Sequence, residues 1–248
     1  MATLEERSQH EILHGQKLAG SGNPEDIWNW NSPAGRVRAG RRGGLIAEAA
    51  GLKPGMRVVE VGCGTGLFTE MFARSGAHIL AVDISPDLLV YARARNLPAD
   101  QVEFREARFE DCDVDGPFDA VVGSSVLHHL DMKAALKTIF DLLKPGGKMA
   151  FAEPNMLNPQ VWAERNIPAV REHNGVSPDE TAIVRWQMAR DLAAIGFTDI
   201  HLRNIDWLHP ATPKSLIPLV SRTGLIMEKI PLIREFTGSL LISAQRPT

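Results

Sequence analysis

Three glycines follow a run of valines in the segment VVEVGCGTGLFTE, which spans residues 58 to 70. Gly62, Gly64 and Gly66 lie between an apolar stretch typical of a buried strand and a stretch typical of a helix. At such a turn the backbone can approach a ligand closely, and the first N–H groups of the helix point outward. The spacing therefore predicts a nucleotide-type ligand at this turn.

Two acidic residues near the turn narrow the kind of ligand. Asp83 ends the next apolar stretch, 21 residues after Gly62, where a carboxylate can accept hydrogen bonds from both hydroxyls of a ribose. Glu60 lies two positions before the first glycine, where it would repel a pyrophosphate and would suit a positively charged amino group. The turn G-C-G-T-G also differs from the dinucleotide fingerprint G-x-G-x-x-G, and the chain has no G-x-x-x-x-G-K-S/T phosphate loop.

The elements that position these residues alternate between strand and helix. This rhythm predicts an α/β fold with a doubly wound, mostly parallel seven-stranded sheet, helices on both faces and an antiparallel addition at one edge. Strands are predicted at 56–62, 77–83, 102–107, 118–125, 148–154, 197–208 and 238–246, with LKPGG as a turn, and helices at 45–51, 67–76, 85–96, 132–143 and near 179–195.

We predict a single domain over residues 1–248. Residues 45–155 form its ligand-binding core, and residues 156–248 supply substrate-side elements and the closing strands. Residues 1–44 look like a polar, irregular but ordered appendage, because Trp28 and Trp30 favour burial.

The motifs VVEVGCGTG, AVDIS, FDAVVGSSVLHHL and LLKPGGKMAFAEPN together resemble the class I methyltransferases that use S-adenosylmethionine. The resemblance covers about residues 45–155 and implies a Rossmann-like fold with S-adenosylmethionine as the cofactor. It implies that the three glycines and Cys63 line the methionine part and the nucleoside, that Asp83 takes the ribose hydroxyls and that Ile84 flanks the adenine. The further cofactor-binding residues that it implies are Glu60, Glu106, Ala107, Arg108 and Ser124, of which Arg108 departs from the usual pattern.

The resemblance also implies methyl transfer by in-line attack on the sulfonium methyl in a pocket that excludes water. A general base is needed only if the acceptor must lose a proton, and His128 and His129 are the candidates; alternatively, they pack beside the cofactor. Glu153 and Asn155 either contact the acceptor or cap the next turn. No ligand spacing such as H-x-x-x-H occurs, so we predict no metal site.

Two segments outside the resemblance remain open. The arginines Arg36, Arg38, Arg41 and Arg42 could hold an anionic group of a ligand or form a solvated basic face. Residues 209–231 predict a helix with a broad apolar stripe, which either covers the sheet edge or forms one wall of an acceptor pocket. In the second alternative the N-terminal segment is a lid, with Trp28 and Trp30 at the substrate.

Composition limits the alternatives. The net charge of −3 gives no global attraction to nucleic acid, and two cysteines give no disulfide framework. The polar start does not resemble a signal peptide, and no apolar run is long enough to span a membrane, so we expect a cytoplasmic protein. The sequence favours methylation of a small molecule over an RNA or protein methyltransferase or a non-catalytic S-adenosylmethionine-binding protein. It leaves the acceptor, the methylated atom and the oligomeric state open.

Overall fold

A computed structural model describes residues 4–173 and 180–248. Its helices are α1 (Leu4–Gly20), α2 (Pro24–Ile27), α3 (Pro33–Ala50), α4 (Leu67–Ala73), α5 (Pro86–Ala94), α6 (Met132–Leu142), α7 (Pro159–Asn166), α8 (Pro168–His173), α9 (Arg185–Ile195) and α10 (Ile217–Met227). Its strands are β1 (Arg57–Val61), β2 (His78–Asp83), β3 (Val102–Glu106), β4 (Phe118–Ser124), β5 (Leu143–Pro154), β6 (Thr198–Ile205) and β7 (Ser239–Gln245).

The seven strands form one sheet in the order β3-β2-β1-β4-β5-β7-β6. The pairs β1–β2, β1–β4, β2–β3 and β4–β5 are parallel. Strand β7 is antiparallel to both of its neighbours, β5 and β6, so β6 forms the edge. The predicted doubly wound, mostly parallel sheet with an antiparallel addition at one side is confirmed.

Helices cover both faces of the sheet. Ile46 of α3, Phe72 of α4 and Leu89 of α5 belong to the apolar core on one face, while Leu136 of α6 and Leu192 of α9 belong to the core on the other. The strand order changes direction between β1 and β4, which lie side by side at the centre. In such sheets, ligands bind outside the carboxyl ends of the strands at this point.

Side-chain caps begin the helices that follow β2 and β4. Ser85 accepts a hydrogen bond from the N–H of Leu88 at 3.3 Å, and Pro86 is the first residue of α5. Asp131 accepts a hydrogen bond from the N–H of Ala134 at 2.9 Å and begins α6. These caps fix where the chain leaves the carboxyl edge of the sheet.

The N-terminal segment is helical, so the prediction of an irregular segment at residues 1–44 is wrong for its described part. Helix α3 runs through the glycine-rich stretch that resembled a loop. A Cβ atom on Gly35 would lie 1.9 Å from the carbonyl oxygen of Asn29, and one on Gly43 would lie 2.7 Å from Sδ of Met71. These glycines therefore allow close packing of a helix rather than a turn.

Two later elements begin at other residues than predicted. Leu143 already pairs with Phe118 of β4, so LKPGG belongs to β5, whose register then shifts. The helix predicted near 179–195 is α9, which begins at Arg185; residue 179 lies outside the described residues.

Candidate active site

A carboxylate of the neighbouring strand holds the glycine turn after β1. Gly62 and Gly64 have φ angles of 64° and 51°, in the left-handed region that favours glycine. The N–H of Gly64 donates to Oδ2 of Asp83 at 2.7 Å, and the N–H of Ser85 donates to Oδ1 at 2.9 Å. Burial raises the pKa of Asp83, although both hydrogen bonds favour its charged form. The turn and the end of β2 are thus joined.

A cavity of about 860 Å³ lies over this turn, at the carboxyl edge of the sheet. This volume is in the range of small-molecule sites. Half-buried Trp28 reaches the turn, because its ring lies 3.7 Å from where a Cβ atom of Gly64 would be. The predicted site residues that line the cavity are Trp28, Trp30, Gly62, Cys63, Gly64, Asp83, Ile84, Ala107, Ser124, His128 and His129.

Two predicted residues at the turn do not line the cavity. Glu60 is only 1% exposed, and burial raises its pKa to about 8. A carboxyl group in that position is withdrawn from the cavity, so the predicted contact with a ligand amino group has no support. Gly66 begins α4, where a Cβ atom would lie 3.1 Å from Cα of Ala92 and from Cδ of Arg95. Gly66 therefore serves the packing of α4 against α5.

Two of the three cofactor-binding residues predicted at the end of β3 do not line the cavity either. Glu106 is exposed and outside the cavity lining, and Arg108 pairs with Glu5 of α1 at 3.2 Å. A 3₁₀ turn at Phe109–Asp111 follows, and it brings Glu110 to the cavity instead. The sequence did not indicate this turn. Because of it, Glu110 rather than Glu106 lines the cavity.

A histidine–carboxylate pair belongs to the same cavity. Nδ1 of His128, in the turn after β4, lies 2.7 Å from Oε2 of Glu153, while Oε1 accepts the N–H groups of Val126 and Leu127, each at 3.0 Å. Burial alone would raise the pKa of Glu153, but these hydrogen bonds lower it. Burial lowers the pKa of His128. Nε2 of His128 lies 3.9 Å from Oε2 of Glu180, another residue of the cavity lining.

Glu153 and Asn155 do not line the cavity, so direct contact of either with an acceptor has no support. Glu153 instead holds His128. The side-chain amide of Asn155 donates to the carbonyl oxygens of Glu235 and Thr237, and its oxygen accepts the N–H of Leu157 at 3.2 Å. These bonds match the alternative in which Asn155 caps the turn after β5.

Helix α1 contributes cavity residues that no sequence motif indicated. Arg7 donates to the carbonyl oxygens of His129 at 3.2 Å and Leu130 at 3.0 Å. Oε2 of Glu11 lies 3.0 Å from Nδ1 of His129. Burial alone would lower the pKa of His129, but the contact with Glu11 raises it. Helix α1 is therefore attached to the segment after β4 and closes that side of the cavity.

Residues after β5 complete the lining, namely Glu164, Arg165 and Glu180. His128, His129 and Glu180 offer ligand atoms that lie within 4.8 Å of one another, an arrangement that can hold a metal ion. However, each histidine already pairs with another carboxylate, and Arg165 lies 2.8 Å from Glu180, where its positive charge opposes a cation. The absence of a metal stays a prediction.

Comparison with known proteins finds a family model that matches the part of the chain around the cavity. The family described as "Methyltransferase domain" matches residues 58–147, which contain the glycine turn, Asp83 and both histidines. Over these residues the chain is similar to class I methyltransferases that use S-adenosylmethionine.

Curated relatives of this chain carry the name "Ubiquinone biosynthesis O-methyltransferase". The protein from Xanthomonas axonopodis pv. citri (strain 306) is 38% identical over 133 residues, which is 52% of this chain and 56% of the relative. The protein from Xylella fastidiosa (strain 9a5c) is 41% identical over 99 residues, which is 38% of this chain and 40% of the relative. The chain thus spans about half the length of the curated relatives it matches.

Solved structures share the fold of this chain. The N-methyltransferase NodS from Bradyrhizobium japonicum WM9, in complex with S-adenosyl-L-homocysteine, aligns with a TM-score of 0.63 at 16% identity over 96% of this chain and 98% of NodS. The cyclase SpnF aligns with a TM-score of 0.57 at 21% identity over 84% of this chain and 81% of SpnF. These names describe different reactions, so the shared fold alone does not assign a reaction to this chain.

Two of the four arginines in α3 pair with acids of the same chain. Arg38 donates three hydrogen bonds to Asp206, the shortest at 2.8 Å, and Arg41 pairs with Glu228 at 2.6 Å. For these two arginines, both a free basic face and a ligand-binding role are therefore wrong. Of the four arginines only Arg36 is exposed, as the solvated alternative requires.

Arg42 is buried beside the cavity. Its guanidinium donates to Oγ of Ser125 at 2.7 Å and to Oγ of Ser239, and it lies 3.6 Å from Asp206. Burial lowers its pKa to about 10, so the side chain remains charged at neutral pH. Ser125, which lines the cavity, has a φ of 57°, so Arg42 stabilises an unusual backbone position there.

The insertion at 209–231 does not reach the cavity. It contains α10 as a helix, but none of its residues lines the cavity, and Leu219 and Ile226 are each 61% exposed. The alternative in which this helix forms one wall of the pocket therefore has no support, while the alternative in which it covers the sheet edge stays a prediction. Among the described residues, no helix is both long and apolar enough to cross a membrane.

Proposed function

We propose that this protein transfers the methyl group of S-adenosylmethionine to a hydroxyl group of a small molecule. One observation carries the proposal: a single cavity is lined by the glycine turn with Asp83 and by the imidazole of His128, which Glu153 holds from behind. The family match supports the cofactor, and the relatives' name supports an oxygen acceptor.

The cofactor end of the cavity (Gly62, Cys63, Gly64, Asp83 and Ile84) fits S-adenosylmethionine. Each oxygen of Asp83 accepts one backbone N–H, which leaves further lone pairs for the two hydroxyls of a ribose. Ile84 follows directly and offers an apolar contact to a base. When bound, S-adenosylmethionine supplies a methyl group that its sulfonium already activates.

The acceptor end of the cavity (Glu11, His128, His129, Arg165 and Glu180) supplies a base. A phenolic hydroxyl has a pKa of about 10 and stays protonated at neutral pH, so it gains from a group that accepts its proton. Glu153 accepts the hydrogen of Nδ1 and so leaves the lone pair of Nε2 on the side of the cavity. Because burial lowers the pKa of His128, the imidazole is neutral and ready to accept a proton.

The cavity walls favour a small, partly apolar acceptor. Leu18, Phe109 and Leu130 supply apolar contacts, while Arg165 and Glu180 can orient a polar substituent. Helix α1 covers the site and limits the access of water to the reacting atoms. A covered cavity in a chain of net charge −3 disfavours RNA as the acceptor.

The test uses S-adenosylmethionine with a labelled methyl group and a panel of phenols and catechols. We expect label in an ether product and a rate that falls as the pH drops through the pKa of His128, which lies below the usual 6.5. The sign follows because a protonated imidazole cannot accept the proton of the acceptor.

Glu153→Gln tests the positioning role of the carboxylate. Glu153 raises the pKa of His128, so its neutral replacement should move the acid limb of the pH profile to lower pH and lower kcat. The proposal fails if the wild-type protein binds S-adenosylhomocysteine but transfers no label to any acceptor, as a non-catalytic binding protein would. Label found only on nitrogen would contradict the hydroxyl acceptor.

A further inference from the structure

Apolar side chains are concentrated on one exposed surface outside the active site. Of the fifteen large apolar side chains that are exposed among the described residues, eight fall within residues 216–236. We call this the insertion surface; its members are Leu216, Leu219, Leu225, Ile226, Ile230, Leu232, Ile233 and Phe236. A contiguous apolar segment of this kind marks an interaction site on a folded protein.

The outward direction of these side chains follows from how α10 is attached. Gly224 is the buried residue of the helix, and a Cβ atom there would lie 3.0 Å from Cβ of Trp207. Leu219, Arg222 and Ile226 follow a spacing of three and four residues on the opposite side. All three are exposed, so the helix presents apolar and basic groups together to the outside.

The charge of the segment is positive once its ion pairs are counted. Its two acids, Glu228 and Glu235, pair with Arg41 at 2.6 Å and with Arg185 at 2.8 Å, both outside the segment. Lys214, Arg222 and Lys229 are exposed and are left facing solvent among the apolar side chains. The chain as a whole has a net charge of −3, so this positive character is local.

We propose that the insertion surface binds a bilayer that contains anionic lipid. An amphipathic helix with apolar and Lys/Arg side chains on its outer face lies in the interface, with the apolar groups among the acyl chains and the cations at the headgroups. A second copy is a poorer occupant, because a two-fold contact would bring Arg222 and Lys229 toward their own counterparts. This proposal does not depend on the methyl-transfer reaction.

An exposed tryptophan extends the same surface. Trp186, at the start of α9, is 51% exposed and follows Arg185, whose guanidinium pairs with Glu235 of the insertion. Tryptophan favours the boundary between headgroups and acyl chains. The insertion joins the end of β6 to the start of β7, so it lies at the same carboxyl edge of the sheet as the cavity.

Co-sedimentation with vesicles tests the proposal. The wild-type chain is mixed with vesicles of phosphatidylcholine and with vesicles of an equimolar mixture of phosphatidylcholine and phosphatidylglycerol. We expect binding to the mixed vesicles that weakens as salt is added. The double variant Leu219→Ser/Ile226→Ser should bind about tenfold less or weaker still, because two exposed apolar contacts are lost.

Val90→Ser is the matched control, because Val90 is 64% exposed on α5 and lies outside the insertion surface. It should bind vesicles like the wild type, and all variants should keep their affinity for S-adenosylhomocysteine, which shows that they fold. Absence of wild-type binding to the mixed vesicles overturns the proposal, as does equal binding by the double variant. A wild-type dimer in solution that the double variant dissociates also overturns it, because a second copy then occupies the surface.

Discussion

The cofactor end and the acceptor end of the cavity are formed by different kinds of groups. The cofactor end combines the main chain of one turn with the carboxylate of Asp83, all within residues 58–85. The acceptor end combines ionisable side chains from four separate segments of the chain, with His128 and Glu11 among them. We therefore propose that the turn and Asp83 determine cofactor binding and that the side chains of the acceptor end determine the reaction of the acceptor. Substitutions at the two ends should therefore separate binding from turnover.

Gly64→Val should have the largest effect and abolish S-adenosylmethionine binding. Gly64 has a φ of 51°, which a β-branched residue avoids, and its Cβ would point toward Trp28, 3.7 Å away. Gly55→Val is a matched control, because Gly55 has a φ of 81° with no atom within 4 Å of its Cβ position. It should be strained but still bind the cofactor. If calorimetry shows that Gly64→Val binds S-adenosylmethionine with wild-type affinity, the assignment of the glycine turn to cofactor binding is wrong.

His128→Ala should lower kcat by roughly 10²–10⁴-fold, the usual contribution of a general base. Its affinity for S-adenosylhomocysteine should stay within a few-fold of wild type, because the cofactor end is intact. His78→Ala, at an exposed histidine outside the cavity lining, serves as the control and should leave both quantities unchanged. If kcat is retained in His128→Ala, the base must be another group.

Asp83→Ala should weaken cofactor binding at least about tenfold. Hydrogen bonds to a charged group contribute roughly 1.5–3 kcal/mol each, and this variant loses those to the ribose. The turn is also weakened, since Gly64 and Ser85 lose their acceptor. Asp83→Asn keeps one acceptor oxygen and should be milder. Calorimetry with S-adenosylhomocysteine measures the dissociation constant of both variants. An unchanged dissociation constant in Asp83→Ala would contradict the proposed bonds between Asp83 and the ribose.

Glu11→Gln should have the smallest effect and act on the acceptor end alone. The change removes the charge beside His129, while Arg7 still attaches α1 through the carbonyl oxygens of His129 and Leu130. We expect a few-fold higher KM for the acceptor with unchanged cofactor affinity. Because Glu11 raises the pKa of His129, that pKa should fall in the variant, which NMR titration can follow. A larger loss of cofactor affinity than of acceptor affinity would contradict the division between the two ends.

The same division explains what the sequence could predict. The glycine turn and Asp83 belong to consecutive elements, strand, turn, helix and strand, so their spacing in the sequence predicts their geometry. Glu11 and Glu180 reach the cavity only through tertiary packing, and no local spacing indicates them. His128 was a candidate from its motif, but its orientation depends on Glu153, 25 residues later, which the sequence assigned to acceptor contact or capping.

The arginines of α3 and the insertion show the same limit. Four arginines within seven residues resemble a solvated basic face. In the structure, however, Arg38 and Arg41 pair with acidic residues more than 160 positions later in the sequence. Arg42 is buried and bonds to serine hydroxyls. The apolar stripe of α10 indicates a helix correctly, because periodicity is local. Which surface that stripe meets depends on where β6 and β7 place the insertion.

A crystal structure with S-adenosylhomocysteine tests both ends in one measurement. The account predicts that the ribose hydroxyls bond to the carboxylate of Asp83 and that the sulfur faces the part of the cavity where Nε2 of His128 lies. A ribose held by other residues, or a sulfur turned away from His128 toward solvent, would contradict it.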